Sequence, residues 1–191
     1  MICTVRFRFH GELNDFLADT RRRRTFEHEV GVTDTLKHVI ESLGVPHTEI
    51  GAVVVNDEPR PLSAKLQGGD AAEVYPHATP ILIESLRFVV DGHLGRLAAY
   101  LRMLGFDTWY QPPADDVELA DVASSENRLL LTRDAGLLKG RAVELGYFVR
   151  SDKPMMQLKE LSARFALKNL STPFTRCMAC NGMLQGLLRR K

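Results

Sequence analysis

Leu129-Leu130-Leu131-Thr132-Arg133-Asp134 runs from three leucines straight into a hydroxyl, a guanidinium and a carboxylate. An apolar run this short, ended at once by polar residues, reads as a strand buried on both faces, as strands inside a parallel sheet are. The same order recurs on either side. Arg87-Phe88-Val89-Val90 is followed by Asp91, Phe106 to Tyr110 by Asp115 and Asp116, and Tyr147-Phe148-Val149 by Asp152. Helical patterns lie between these runs. Leu94, Leu97, Ala98, Leu101 and Leu104 form one stripe that Gly105 ends; further helices are expected from about Asp116 to Glu126, briefly after Asp134, and from Met155 to Phe165. Strict alternation of strand and helix predicts parallel strands, right-handed crossovers and a three-layer α/β/α domain. Ligands of such open sheets bind beyond the carboxyl ends of the strands, so acids placed there on several strands converge. Oxygen-rich clusters suit hard divalent cations, which points to metal-dependent phosphate chemistry.

Each acid also has a plainer use. Asp91 precedes Gly92 and a helix start, where an aspartate caps well, and one carboxylate can both cap and coordinate. With Asp115 as N-cap, Glu118 falls where a capping box wants it; Asp116 is then left over at a helix N-terminus that favours negative charge. Thr132, Arg133 and Asp134 reach the crevice together, and Arg133 can hold phosphate with two donors. Ser151 or Asp152, just ahead of Pro154, reads as a helix cap. Clustered carboxylates stay ionised only beside positive charge, which a bound Mg²⁺ or Mn²⁺ supplies with help from Arg96, Arg133 and Arg150.

The first 80 residues have another rhythm. Ile2 to Phe9 and Arg24 to Val30 alternate like strands; Leu36, Val39, Ile40 and Leu43 share a helix face that Thr33 or Asp34 would cap and Gly44 would stop. Strands follow at Gly51 to Asn56 and Ala71 to Tyr75, with turns at Asn56-Asp57 and Gly68-Gly69-Asp70. Pro76 and Pro80 bracket a connection to the second domain. The reading is of three segments, at residues 1–80, 85–176 and 177–191.

The chain has 191 residues, a net charge of +1 and three cysteines. Bulk electrostatics therefore exclude a strongly basic nucleic-acid binder and require any polyanion site to be local. Apolar stretches are far shorter than the roughly 18 to 20 residues that span a bilayer, and Met1 to Phe7 alternates rather than forming a signal peptide. Cytoplasmic residence is expected, since three cysteines complete no disulfide framework.

Residues 1–80 resemble the ubiquitin-like β-grasp fold, and Gly51 to Glu58 with Leu66 to Pro76 resemble its small sulfur carriers. Those carriers end in a free Gly-Gly, whereas this segment reads Pro76-His77-Ala78-Thr79-Pro80 and continues, so carrier chemistry is not expected. Phe88 to Thr108, Asp115-Asp116 with Glu118-Leu119, Leu131 to Asp134 with Leu137-Leu138, and Val149 to Asp152 resemble the Mut-seven C-terminal RNase domain, a PIN-like nuclease family. The resemblance spans about residues 86 to 182. It implies cleavage of RNA phosphodiesters, with Mg²⁺ or Mn²⁺ held by Asp91, Asp116 and Asp134, Asp115 as a further catalytic candidate, and Arg96, Arg133 and Arg150 on the substrate. It also implies RNA as substrate and a protein partner for the β-grasp domain; the alternative is a non-catalytic adaptor that keeps the scaffold. Cys177-Met178-Ala179-Cys180 resembles one half of a zinc ribbon. No cysteine or histidine follows Cys180, so a complete zinc site within the chain is not expected.

Overall fold

The computed structural model describes residues 2–81 and 85–185; of the tail read at 177–191, residues 186–191 lie outside these. The chain divides into two compact units, Met1–Ala78 and Thr79–Lys191.

In the first unit, β1 (Ile2–Phe9) points Val5, Phe7 and Phe9 inward and its alternate residues outward. It pairs antiparallel with β2 (Phe26–Gly31) and parallel with a later strand, β5 (Ala71–Pro76). β5 also pairs antiparallel with β3 (Ile50–Val55), which carries the two-residue β4 (Glu58–Pro59) on its other side. The strand order is β2-β1-β5-β3-β4. The α-helix α1 (Leu36–Ser42) buries Leu36, Val39 and Ile40 in one core with Val5, Phe7, Val53 and Val74. A mixed sheet grasping one helix is the ubiquitin-like β-grasp arrangement expected from the strand and helix order.

The helix start differs from the expectation at Thr33 or Asp34. Thr35 is the N-cap, its Oγ1 accepting from the His38 N–H at 3.3 Å. Asp34 turns back to accept from the Gly31 N–H at 2.9 Å, which closes the preceding turn and leaves the cap to the next hydroxyl. Asn56 and Asp57 have φ of 50° and 65°, the left-handed pair that a two-residue hairpin turn between β3 and β4 requires.

In the second unit β6 (Arg87–Val90), β7 (Asp107–Trp109), β8 (Leu129–Thr132) and β9 (Gly146–Phe148) form one all-parallel sheet in the order β7-β6-β8-β9. Alternate side chains go to two separate cores. Phe88, Val90, Leu129 and Leu131 join residues of α2 (Gly95–Met103) and α4 (Pro154–Phe165). Val89 and Leu130 join Leu119 and Ala123 of α3 (Asp116–Ser125), with Leu137, Leu138 and Val143. This is why Leu129 to Thr132 is buried at every position. The short helix expected after Asp134 is a single 3₁₀ turn at Leu137–Lys139.

Two buried arginines tie down the β7 edge of this sheet. Arg102, on α2, donates through Nε to the Thr108 carbonyl at 3.0 Å and through Nη1 to the Ala179 and Met178 carbonyls at 2.7 and 3.2 Å. Asn181 fills the other half of the same edge, its Oδ1 accepting from the Thr108 N–H at 3.0 Å. Gly105, at φ 91°, ends α2 and lets the backbone of Thr172 pass where a β-carbon would collide.

Arg128, 7 % exposed, donates to Glu126, to the Phe88 carbonyl and to Asp107 Oδ1 at 2.9 Å. Burial pushes the Asp107 carboxyl up, but hydrogen bonds from Arg128 and Asn181 and the neighbouring guanidiniums outweigh it and hold the group below the usual carboxylate range. A lowered folded pKa contributes stability that is present above the unfolded value of about 3.9 and is lost as pH falls through the folded value. Asp107→Asn is therefore expected to flatten the loss of stability below about pH 4, as read by urea unfolding across pH. Arg128→Met, which leaves the half-buried Asp107 carboxylate to Asn181 and Arg176 alone, is expected to cost about 1–3 kcal/mol at neutral pH.

Candidate functional site

β6 and β8 are neighbours in the sheet, and both deliver their polar residues at the carboxyl edge. Asp91 continues the β6 ladder, its N–H donating to the Leu131 carbonyl at 3.0 Å. The side chain beyond it is doubly held. Oδ1 accepts weakly from the His93 N–H at 3.4 Å, capping the 3₁₀ turn Gly92–Leu94, and Oδ2 accepts from Thr132 Oγ1 at 2.7 Å. Thr132 is wholly buried, and its Oγ1 also accepts from the Asp134 N–H at 2.9 Å. One hydroxyl thus spends its proton on Asp91 and a lone pair on Asp134, coupling the ends of two strands.

Asp134 in turn shapes the loop after β8. Its Oδ1 accepts from the Gly136 N–H at 2.6 Å and the Leu137 N–H at 3.4 Å, while Oδ2 has no partner among the described residues. A β-carbon on Gly136 would lie 2.9 Å from Oδ1, so this position takes glycine for the close approach of the carboxylate. Asp115 and Asp116 separate cleanly. Asp115 is the N-cap of α3, Oδ1 accepting from the Glu118 N–H at 2.9 Å. Asp116 has no hydrogen bond or ion pair among the described residues and borders a cavity of about 380 Å³ together with Gly136 and Leu137.

The arginines are employed unequally. Arg96 is exposed at the start of α2, with no hydrogen bond or ion pair among the described residues. Arg133 donates to the carbonyls of Val149, Arg150 and Ser151 and to Asp152 Oδ1 at 3.3 Å, so its guanidinium holds the loop after β9. Arg150 donates to the Phe148 carbonyl at 3.0 Å and lies over the Tyr147 ring.

The expected cap at Ser151 or Asp152 is corrected. Lys153 occupies the N-cap of α4 without a side-chain cap bond, and Pro154 has no N–H to satisfy. The loop N–H groups of Arg150 and Ser151 are taken instead by Glu160, from within the helix, at 2.9 and 3.1 Å.

Two contacts at this edge had no marker in the sequence pattern. Tyr110, beyond β7, donates from its hydroxyl to the Gly92 carbonyl at 3.0 Å. Its ring occupies the space where Gly95 would carry a β-carbon, so Tyr110 braces the turn that presents Asp91. Trp109, by contrast, packs against the α3 side of the sheet.

The donors near Asp91, Asp116 and Asp134 are oxygens, the type that Mg²⁺ and Mn²⁺ prefer. Yet among the described residues no three His, Cys, Asp or Glu side chains are gathered so as to hold a metal ion. Cys177 and Cys180 are free thiols in a compact turn, the Cys177 N–H donating to the Gly182 carbonyl at 2.8 Å. Backbone N–H groups of Cys180 and Ala179 lower the Cys177 thiol pKa.

The family model described as the Mut7-C RNAse domain matches residues 86–191, and that described as Mut7-C ubiquitin matches residues 2–82. Two solved structures from Haloferax volcanii are similar over 40 % of the chain. The HVO 2177 protein, solved in solution, shares 18 % identity over 85 % of its length with a TM-score of 0.34. The crystal structure of small archaeal modifier protein 1 shares 16 % over 99 % with a TM-score of 0.32. No curated protein matches the chain.

The Thr132 link generates a stability test. Thr132→Val keeps the shape but takes the buried hydroxyl away from half-buried Asp91 and from the Asp134 N–H, and is expected to cost about 1 kcal/mol in urea unfolding, whereas Thr132→Ser should retain most of the stability. Equal stability for Thr132→Val and the parent would show the link to be idle.

Proposed function

We propose that this chain, which belongs to the Mut7-C RNAse domain family, hydrolyses RNA phosphodiesters at the carboxyl edge of its parallel sheet. One observation carries the reading. The Thr132 hydroxyl ties Asp91 to Asp134 at the ends of adjacent strands, and Asp116 stands unpartnered among the described residues on the next element. In this proposal Asp134, with an open Oδ2, accepts a proton from the attacking water, and Asp91 is held by Thr132 to face the same spot. Arg96 binds a phosphate oxygen and offsets charge developing on it. Asp115 contributes through its helix cap, while Arg133 and Arg150 keep the neighbouring loop in place.

A divalent cation, Mg²⁺ or Mn²⁺, belongs to the proposal as the counter-charge for Asp91, Asp116 and Asp134. When bound, it would polarise phosphate and water. The described carboxylates are not gathered for it, so the roles above are derived from side chains alone. The ubiquitin-like unit, whose counterpart family is Mut7-C ubiquitin, is proposed to recruit a protein partner. No helix among the described residues is long and apolar enough to cross a membrane, and cytoplasmic residence is part of the same proposal.

A second reading is favoured by the engaged state of Asp91 and Asp115 as caps: a non-catalytic RNA- or protein-binding adaptor. A Mn²⁺ titration with labelled single-stranded RNA separates the two. The parent is expected to cut, and Asp134→Asn to lose roughly 10²-fold or more of the rate while remaining folded by circular dichroism. RNA bound but uncut at every Mn²⁺ and Mg²⁺ concentration, with no metal binding by calorimetry, would establish the adaptor instead.

A further inference from the structure

The cavity beside Asp116 is a second feature of this edge, and of its lining residues only Asp116 enters the hydrolytic roles. Its volume, about 380 Å³, falls at the lower end of ligand pockets, which start near 300 Å³. Leu137, buried, and Ala120 contribute apolar surface to its lining. Asp121 and Arg141 stand on the same lining, and neither side chain has a hydrogen bond or ion pair among the described residues. Gly136 belongs to both places: its N–H holds Asp134, and its backbone borders the cavity. A phosphodiester at Asp134 therefore has this cavity as its immediate neighbour.

Apolar lining that also carries the open carboxylate of Asp121 and the open guanidinium of Arg141 suits a nucleobase that offers donors on one edge and acceptors on the next. Guanine has both. Its O6 and N7 accept two hydrogen bonds from one arginine, and its N1–H and N2–H₂ donate two to one carboxylate. Adenine, cytosine and uracil leave at least one of the two charged groups half satisfied. Polar groups so matched discriminate by what a poorer ligand leaves unpaired.

We infer that this cavity is a base subsite that receives guanine next to the scissile phosphate, with Arg141 and Asp121 as the residues that determine the preference. The inference rests on the RNA-cleaving reading for its physiological ligand, but its test does not depend on turnover. Saturation-transfer NMR of the full chain with GMP, AMP, CMP and UMP is the first arm. GMP is expected to bind about tenfold more tightly than the others, and Arg141→Ala and Asp121→Asn each to remove the difference. Both side chains are exposed, so both variants should melt with the parent. The second arm maps cut sites in a mixed-sequence single-stranded RNA, where cuts should cluster beside guanosine in the parent and lose that bias in Arg141→Ala.

Equal binding of the four nucleotides, or a preference unchanged in both variants, overturns the subsite. Cleavage without base bias removes the subsite and leaves the nuclease. Selective GMP binding that both variants abolish, with RNA never cut, supports the subsite and removes the nuclease.

Discussion

Parallel pairing of β6 with β8, Phe88 opposite Leu129 through Val90 opposite Leu131, sends both chains out of the sheet at the same edge and one strand-width apart. Neighbouring strands lie roughly 4.8 Å apart, which is the reach of one threonine hydroxyl between two polar groups. Everything at the site follows from that spacing. Thr132 can serve Asp91 and Asp134 together only because no strand lies between them and because its side chain is sealed from water that would compete for the same bonds. The two apolar cores, one on each face, hold the spacing constant. The candidate site is thus carried on paired strands held between two cores, while the turns Gly92–Leu94 and Leu137–Lys139 are organised by the carboxylates themselves.

Much of this was legible in the sequence. Leu129 to Asp134 announces a buried strand and its polar exit because three leucines in a row satisfy two cores at once. The capping role of Asp115 was readable from Glu118 three residues on. What escaped reading depends on distance along the chain. Asp152 looked like a cap, yet it meets Arg133 from another strand, and Glu160 reaches back across nine and ten residues to the loop N–H groups. Thr35 displaced Thr33 and Asp34 because a turn one residue longer than expected uses Asp34 first. Propensity ranks all three as caps and cannot choose among them.

Glycines mark the other illegible contacts. Gly95 and Gly136 need no unusual backbone; each is small because a side chain from elsewhere, Tyr110 or Asp134, occupies the space of its β-carbon. A sequence alone distinguishes such glycines from turn glycines like Gly105 only by their position just inside or just before a helical turn. Arg102 was hidden for a similar reason. It neighbours Leu101 on the helix and reads as a solvated charge, but it lies buried with its donors spent on backbone carbonyls.

That last arrangement has a bearing on what this sheet can do with other chains. Thr108 presents the outward N–H and C=O of the end strand β7, and Asn181 and Arg102 have already taken them. Such a margin offers no template for an incoming strand, so self-association by sheet extension is barred on that side. The segment around Asn181 thereby acts as a selvedge, finishing the woven edge so that it cannot be lengthened.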